Sequence, residues 1–298
     1  MKRPTGTLYV VSTPLGNRED LSPRAAALLR AAPVIAAEDT RTARQLLGVL
    51  GVAAGERRIV SCFDANEGAR AGELAAVLRE GGDVVLVSEA GTPLVSDPGY
   101  RVVAAAIGAG AQVVPVPGPS AVLAALVAAG LPTDRFLFLG FPPRKAGARR
   151  RLLGSVRALP FTLVLYESPL RTGATLAALA DVLGGARAAC VARELTKEHE
   201  ELVRGTLADL ANRYRDERPL GEVTLVVAGA GEAGGGGEDE DGEGGDEELS
   251  ARADALLARG LSARDAADAL AAETGRPRRA VYALVVARRA GKTSTDED

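Results

Sequence analysis

Residues 83–99 read DVVLVSEAGTPLVSDPG, and the way this stretch divides decides the fold. Asp83 to Val87 is a short β-branched run of the kind that forms a strand covered on both faces. It breaks into Ser88-Glu89-Ala90-Gly91-Thr92-Pro93, continues through Asp97-Pro98-Gly99-Tyr100, and resumes from Val102 to Ala109 with helical period. The unit is therefore strand, polar glycine-rich loop, helix.

The same unit recurs on either side. Strands are expected at Thr7 to Val11, Val34 to Ala37, Ile59 to Cys62 and Gln112 to Val116, with helices from Arg24 to Ala31 and Glu67 to Arg79. Alternation of this kind implies an α/β fold with a mainly parallel sheet. Around Pro132 the pattern restarts, with strands expected at Phe136 to Leu139, Thr162 to Tyr166, Ala188 to Ala192 and Val223 to Val227, which makes a second α/β domain. Glycine and acidic residues then dominate, and such a segment buries too little apolar surface to order itself. Beyond it, Leu249, Ala253, Leu256 and Leu257 mark an amphipathic helix, and Ser262 reads as the N-cap of another running to about Glu273, ended by Gly275, with Pro277 opening a third. The expected organisation is 1–117 and 118–229 for the two α/β domains, 230–248 for a disordered linker, and 249–298 for a helical, helix-turn-helix-like appendix.

Composition narrows the chemistry. A chain of 298 residues with 47% hydrophobic content is long enough for two cores. It has no run of about eighteen apolar residues, and its opening Met1-Lys2-Arg3-Pro4 does not read as a signal peptide, so a cytoplasmic protein off the membrane is expected. Two cysteines, Cys62 and Cys190, and a single histidine, His199, are too few for a zinc cluster or a Ser-His-Asp triad, and no metal is expected. The net charge of -3 conceals a split, because nine acids and no base lie between Gly231 and Glu248. Setting those nine aside leaves 36 basic against 30 acidic residues, a balance that suits a polyanionic partner or plain surface solvation.

Ligands of open parallel sheets bind beyond the carboxyl ends of the strands. All five loops there are polar or glycine-rich: Ser12 to Asn17, Glu38 to Arg41, Phe63 to Glu67, Ser88 to Tyr100, and Pro117-Gly118-Pro119-Ser120. By contrast, Gly229-Ala230-Gly231-Glu232-Ala233-Gly234 matches a dinucleotide fingerprint in letters only, since glycine and acid follow it instead of the helix that would meet a pyrophosphate.

Together these loops resemble the tetrapyrrole-methylase superfamily, and within it the branch that methylates a cytidine ribose of 16S ribosomal RNA. The resemblance is carried by STPLGN at 12–17, AAEDTR at 36–41, Asn66-Glu67, AGTP at 90–93, DPGY at 97–100, PVPGPS at 115–120, GLPTDRF at 130–136, Gly140-Phe141, Tyr166-Glu167-Ser168 and ARELTK at 192–197. Ser12 and Glu89 depart from it, standing where the family commonly has proline and aspartate. The resemblance implies two α/β domains with S-adenosylmethionine in the cleft between them, in a homodimer acting on 16S rRNA of the small ribosomal subunit. Carried over, the donor contacts are Ser88, Glu89, Ala90, Gly91, Thr92, Asp97, Pro98, Gly118, Pro119 and Ser120, with Tyr166 and Ala192 from the second domain. A neutral ribose hydroxyl is a poor nucleophile and needs a proton acceptor; Asp39, Glu67 and Lys197 are the candidates, although each also reads as a loop cap or ion-pair member. Arg41, Arg144, Lys145, Arg149 and Arg150 are the candidate RNA contacts, with Arg151 beside them and Arg276, Arg278, Arg279, Arg288 and Arg289 as further basic residues of the tail. Rival readings are a small-molecule methylase of the same superfamily, a nicotinamide-dependent enzyme, and a non-catalytic nucleic-acid adaptor.

Overall fold

The computed structural model describes residues 5–52, 57–217, 220–231, 243–274 and 281–286. Residues 1–235 form one compact unit and 236–298 another.

The first unit contains two five-stranded sheets. Strands β1 (Thr7–Val11), β2 (Val34–Ala37), β3 (Arg58–Ser61), β4 (Val84–Val87) and β5 (Gln112–Val116) pair in the order β3-β2-β4-β1-β5. Every pairing is parallel. Period two then sorts the side chains onto opposite faces. Val34, Ala36, Val84 and Leu86 meet helices α3 (Glu67–Arg79) and α4 (Tyr100–Gly108) through Leu74, Leu78, Val102 and Ala106. Ile35, Ala37, Val85 and Val87 meet α1 (Pro23–Ala31) and α2 (Thr40–Val49) through Leu29, Ala43 and Leu47. With both faces covered, the strands need the continuous apolar runs seen in the sequence.

The second sheet departs from the parallel expectation. It holds β6 (Phe136–Phe138), β7 (Thr162–Glu167), β8 (Ala188–Arg193), β9 (Glu201–Thr206) and β10 (Val223–Val227) in the order β6-β7-β10-β8-β9. Only β6 and β7 are parallel; the other three pairings are antiparallel. The reason lies in the connections: β8 returns directly into β9 through a short polar turn, without the crossover helix that parallel pairing needs. One face packs on α6 (Ala146–Val156), α7 (Thr172–Leu183) and α8 (Leu207–Arg213) around Leu153, Leu176, Leu179 and Leu210. The other takes α5 (Ala121–Ala128) with Val122, Ala125 and Leu126, together with Leu15 from the loop after β1. Leu15 thus belongs by sequence to the first sheet and by packing to the core of the second.

In the second unit, α9 (Glu243–Ala258), α10 (Ala263–Thr274) and the helical residues 281–286 enclose Leu249, Ala253, Ala266, Leu270, Val281 and Val285. Ser262 caps α10 by accepting the Asp265 backbone N–H at 3.2 Å and donating to its carboxylate at 2.6 Å. The linker expected over 230–248 is shorter at its far end, because α9 already begins at Glu243. Burial of Leu249 and Ala253 anchors that helix. The centre of the linker, 232–242, lies outside the described residues, as do Gly275, Pro277 and the tail arginines.

Close backbone approach fixes one joint of the second sheet's helical layer. A Cβ at Gly173 would overlap the Tyr214 carbonyl oxygen, so α7 crosses the end of α8 only because residue 173 has no side chain. Gly173→Ala should therefore lower the melting temperature by several degrees despite alanine's better helix propensity of about 1 kcal/mol. A melting temperature equal to or above that of the parent would show that the backbone yields there at no cost.

Candidate functional site

Parallel pairing places the carboxyl ends of β1 to β5 on one edge, and the five loops leaving that edge are the ones singled out by sequence. Three are bonded to one another. Thr13 N donates to Gly91 O at 2.9 Å and Gly91 N to Thr13 O at 3.1 Å. The Thr92 hydroxyl donates to Pro119 O at 2.9 Å, and the Ser12 hydroxyl lies 3.2 Å from that of Thr92.

The loop after β4 has positive φ at Gly91 (80°), Leu94 (71°), Ser96 (69°) and Gly99 (136°). Two of these are not glycine, and a backbone held in that region persists only where its surroundings over-determine it. Glu67 supplies much of that restraint. Its buried carboxylate accepts the backbone N–H of Gly99 at 2.8 Å and of Arg101 at 2.9 Å, tying the loop's end to the start of α4.

Between this edge and the second sheet lies a cavity of about 370 Å³. The first half contributes Leu15, Glu38, Glu89 to Thr92, Val95 to Asp97, Ser120 and Ala121; the second contributes Phe141, Tyr166 to Pro169 and Gly221 to Thr224. A shallower hollow of about 340 Å³ adjoins it, lined in part by Gly118, Pro119, Ser120 and Thr196. Tyr166 is the fixed aromatic wall. It packs edge-on to Phe138 at 4.9 Å and tilted to Phe141 at 5.5 Å, and its backbone N–H donates to Gly140 O at 3.0 Å.

The cavity is acidic. Burial pushes Asp97 up to about 7, helped by the negative charge of Glu38, while a hydrogen bond from Ser88 acts the other way. Burial also raises Glu38, partly offset by a backbone N–H from Glu89, and the charges of Glu89, Asp64 and Asp39 add to the rise. Tyr166 is pushed up to about 12 by burial and by Asp97. Carboxylates gathered at this edge therefore resist ionising together, and the cavity favours a cationic group.

Of the residues expected to hold a donor, Glu89, Ala90, Gly91, Thr92, Asp97, Ser120 and Tyr166 line the cavity together. Gly118 and Pro119 line the adjoining hollow. Ser88 lies behind the wall, buried, with its hydroxyl directed to the carbonyls of Ala90 and Gly91 and to Asp97. Pro98 is in the same loop but outside the lining, and Ala192 is buried in the core against α5.

The three expected proton acceptors stand outside the cavity lining. Asp39 caps α2 through the Arg41 N–H at 2.7 Å and pairs with the Arg41 side chain, which holds its carboxyl down at about 2. Glu67 serves the loop as described. Lys197 bridges Glu194 at 2.9 Å and Glu222 at 3.4 Å, and its stem covers Gly16. Partial burial opposes its charge, but the Glu194 hydrogen bond and the Glu222 carboxylate outweigh that and raise its pKa, so it remains an ammonium.

Among the expected RNA contacts, Arg144 and Lys145 are exposed just before α6. Arg150 is paired with Asp181 at 2.5 Å, and the Nε of Arg149 is buried without a hydrogen-bond partner. Arg41 is largely exposed beyond its Asp39 pair.

Sequence reasoning passed over Glu38, Phe141, Glu167, Ser168 and Glu222 as site residues. The first four sit inside stretches that carried the resemblance and were outshone by their neighbours. Glu222 lies at the amino end of β10, where no carboxyl-edge rule looks. Among the described residues no group of acids, histidines and cysteines has metal-binding geometry, and no helix is long and apolar enough to cross a membrane.

Comparison with known proteins is consistent with this geometry. Residues 7–211 match the family model of Tetrapyrrole (Corrin/Porphyrin) Methylases. The chain is 46% identical over 283 residues to the ribosomal RNA small subunit methyltransferase I of Micromonospora olivasterospora, covering 94% of this chain and 87% of that protein. It is 43% identical over 279 residues to the protein of the same name from Synechocystis sp., covering 94% and 97%. Among solved structures, uroporphyrin-III C-methyl transferase from Thermus thermophilus complexed with S-adenyl homocysteine shares the fold, with a TM-score of 0.53 at 24% identity over 74% of this chain and 97% of that one. Near-full-length identity at this level, on a two-sheet fold of the same type, means that the chain belongs to the tetrapyrrole methylase family and, within it, to the ribosomal RNA small subunit methyltransferase I family.

Proposed function

We propose that the protein is an S-adenosylmethionine-dependent methyltransferase that modifies the ribose 2'-oxygen of a cytidine in the decoding centre of 16S ribosomal RNA, working in the cytoplasm as a homodimer. The observation that carries this reading is the acidic, aromatic-walled cavity where the carboxyl-edge loops of the first sheet face Tyr166. Relatives identical at 43–50% bear the name of a ribosomal RNA methyltransferase, which supports RNA over a small ring as the acceptor.

The residues present suit the donor. About 370 Å³ lies in the range of pockets that enclose a cofactor-sized ligand. Backbone groups at Ala90 to Thr92 and Ser120 suit polar ends of a ligand, the apolar walls from Leu15 and Val95 suit an adenine, and Glu38, Glu89 and Asp97 suit a cation. When bound, S-adenosylmethionine supplies a methyl group on a positively charged sulfur. The chain's part is then to hold an acceptor oxygen in line with that methyl, to exclude water, and to take up the proton.

In this reading Asp39, Glu67 and Lys197 are positioning residues: they fix the start of α2, the loop before α4, and Glu222. A carboxyl held at about 2 is a weak base. Glu38, next to Asp39 but lining the cavity with a raised pKa, is better placed to accept the hydroxyl proton. Single-turnover methylation of small subunits lacking the modification should therefore fall at least ~100-fold in Glu38→Gln, the lower end of the range for a lost general base, while Asp39→Ala keeps most of its rate. The opposite ranking would return the role to Asp39.

Asp97 gives a pH signature. Its folded pKa of about 7 exceeds the ordinary aspartate value of 3.8, so the folded protein holds an extra proton between those limits and loses stability as pH rises through that window. A cation in the cavity favours the ionised form, so donor binding should release a proton and tighten from roughly pH 6 to 8. Calorimetry in two buffers of different ionisation heat measures that release, and Asp97→Asn should abolish it. A pH dependence that survives in Asp97→Asn would place the titrating group elsewhere. Absence of donor binding by the folded parent protein would sink the function itself.

A further inference from the structure

We propose that Phe141 is a preformed stacking platform for a nucleobase of the RNA, an inference that rests on the RNA-methylation reading and adds the residue that would hold the substrate at the cavity mouth. Phe141 is 56% exposed yet lines the cavity. Among the described residues it is the only exposed aromatic side chain that does so. A single exposed apolar residue needs no explanation by itself. What sets this one apart is how firmly its surroundings hold it.

The ring of Phe141 leans on Tyr166, which packs edge-on against Phe138 behind it. On the chain's near side, Gly140 turns with φ of 63° and its carbonyl accepts the Tyr166 N–H at 3.0 Å. On the far side, Arg171 donates to the carbonyls of Pro142 at 2.6 Å and Pro143 at 3.4 Å. Arg171 is itself anchored 3.2 Å from Glu167, a fully buried carboxylate that also accepts from the Thr175 hydroxyl at 2.6 Å and the Ser168 N–H at 2.8 Å. An ion pair buried on its carboxylate side and two prolines thus restrain a residue whose ring is largely exposed. Order imposed before binding is order that binding need not supply.

The setting matches a polynucleotide. Arg144 and Lys145 follow directly and are exposed, so phosphate charge can be met just outside an acidic cavity that repels it. For a ribose hydroxyl to enter the cavity, its nucleotide must leave the stack of its neighbours, and proteins that read unstacked RNA seat the freed base on an aromatic ring. Stacking of this kind tolerates any base, so Phe141 would supply affinity and orientation, leaving base identity to other contacts.

The chain contains no tryptophan, so Phe141→Trp places a unique fluorophore at the proposed platform. Its emission should be quenched saturably by a single-stranded cytidine-containing oligoribonucleotide, over the same concentrations at which the anisotropy of labelled RNA reports binding. Phe141→Ala and Phe141→Leu should each weaken RNA binding or raise its KM by roughly 5- to 150-fold, the range for loss of one stacked base. Calorimetric affinity for S-adenosylmethionine should fall by much less than RNA affinity in both, the retained donor binding certifies that they are folded, and Phe141→Trp should restore RNA binding. RNA that binds without moving the tryptophan emission would overturn the proposal. So would an alanine or leucine variant that loses donor affinity but keeps RNA affinity, since the ring would then belong to the donor's adenine. Quenching by RNA in a protein whose parent transfers no methyl group would leave the platform standing and remove the methylation reading; absence of RNA binding by the parent would remove both.

Discussion

The structure depends on the parallel pairing of β1 to β5. A parallel strand must be re-entered from the same end, so every strand delivers its outgoing loop to one edge, and five loops that are distant in sequence become neighbours. Helices must then cover both faces, which explains why β2 and β4 are buried along their whole length. The cavity is a consequence of that edge. Leu15 adds the second requirement: by seating itself against Val122, Leu126 and Val164 it holds the edge of one sheet against the core of the other.

The electrostatics follow from the same geometry. Glu38 follows β2, Asp64 follows β3, and Glu89 and Asp97 follow β4, so the carboxylates converge because the strands do. Bringing them together in a partly dry cleft raises the pKa of Glu38 and Asp97, a cost the fold bears with no lysine or arginine among the described residues of the lining. Lys197 stands one residue removed, neutralising Glu222 from behind. The result is a site that attracts positive charge next to exposed arginine and lysine at 144 and 145 that attract negative charge. A cationic donor and a polyanionic acceptor sort themselves onto different surfaces in such an arrangement.

The first half was legible in the sequence to a fine grain. Thr7–Val11, Val34–Ala37, Gln112–Val116 and Glu67–Arg79 fall where their apolar period ends them, the other expected elements shift by a residue or two, because frayed ends depend on capping, and α2 is a helix the sequence reading did not mark. The donor-type loops were legible for the same reason: position beyond a strand's carboxyl end is a sequence property once the strands are known. Side-chain direction was not. Asp39 and Glu38 are adjacent letters, yet one turns to Arg41 outside and the other into the cavity. Glu67 reads as an acid available for catalysis until its two backbone partners, 32 and 34 residues downstream, are seen. Ala192 shares its strand face with its register neighbours Thr224 and Tyr166, yet it is buried against α5 rather than in the lining, and that packing is not a property of the letters.

The second sheet shows why its share of the site escaped the carboxyl-edge rule altogether. In the antiparallel register Val223 stands opposite Glu167, so the amino end of β10 lies beside the carboxyl end of β7. Gly221, Glu222, Val223 and Thr224 reach the cavity from the end of a strand that the rule sets aside. A mixed sheet thus offers both kinds of strand terminus to a single ligand, and it also lets the turn after β8 bring Lys197 back to Glu222. The first half of the site is dictated by the direction of its strands and the second by their register, and register is the property least visible in a linear sequence.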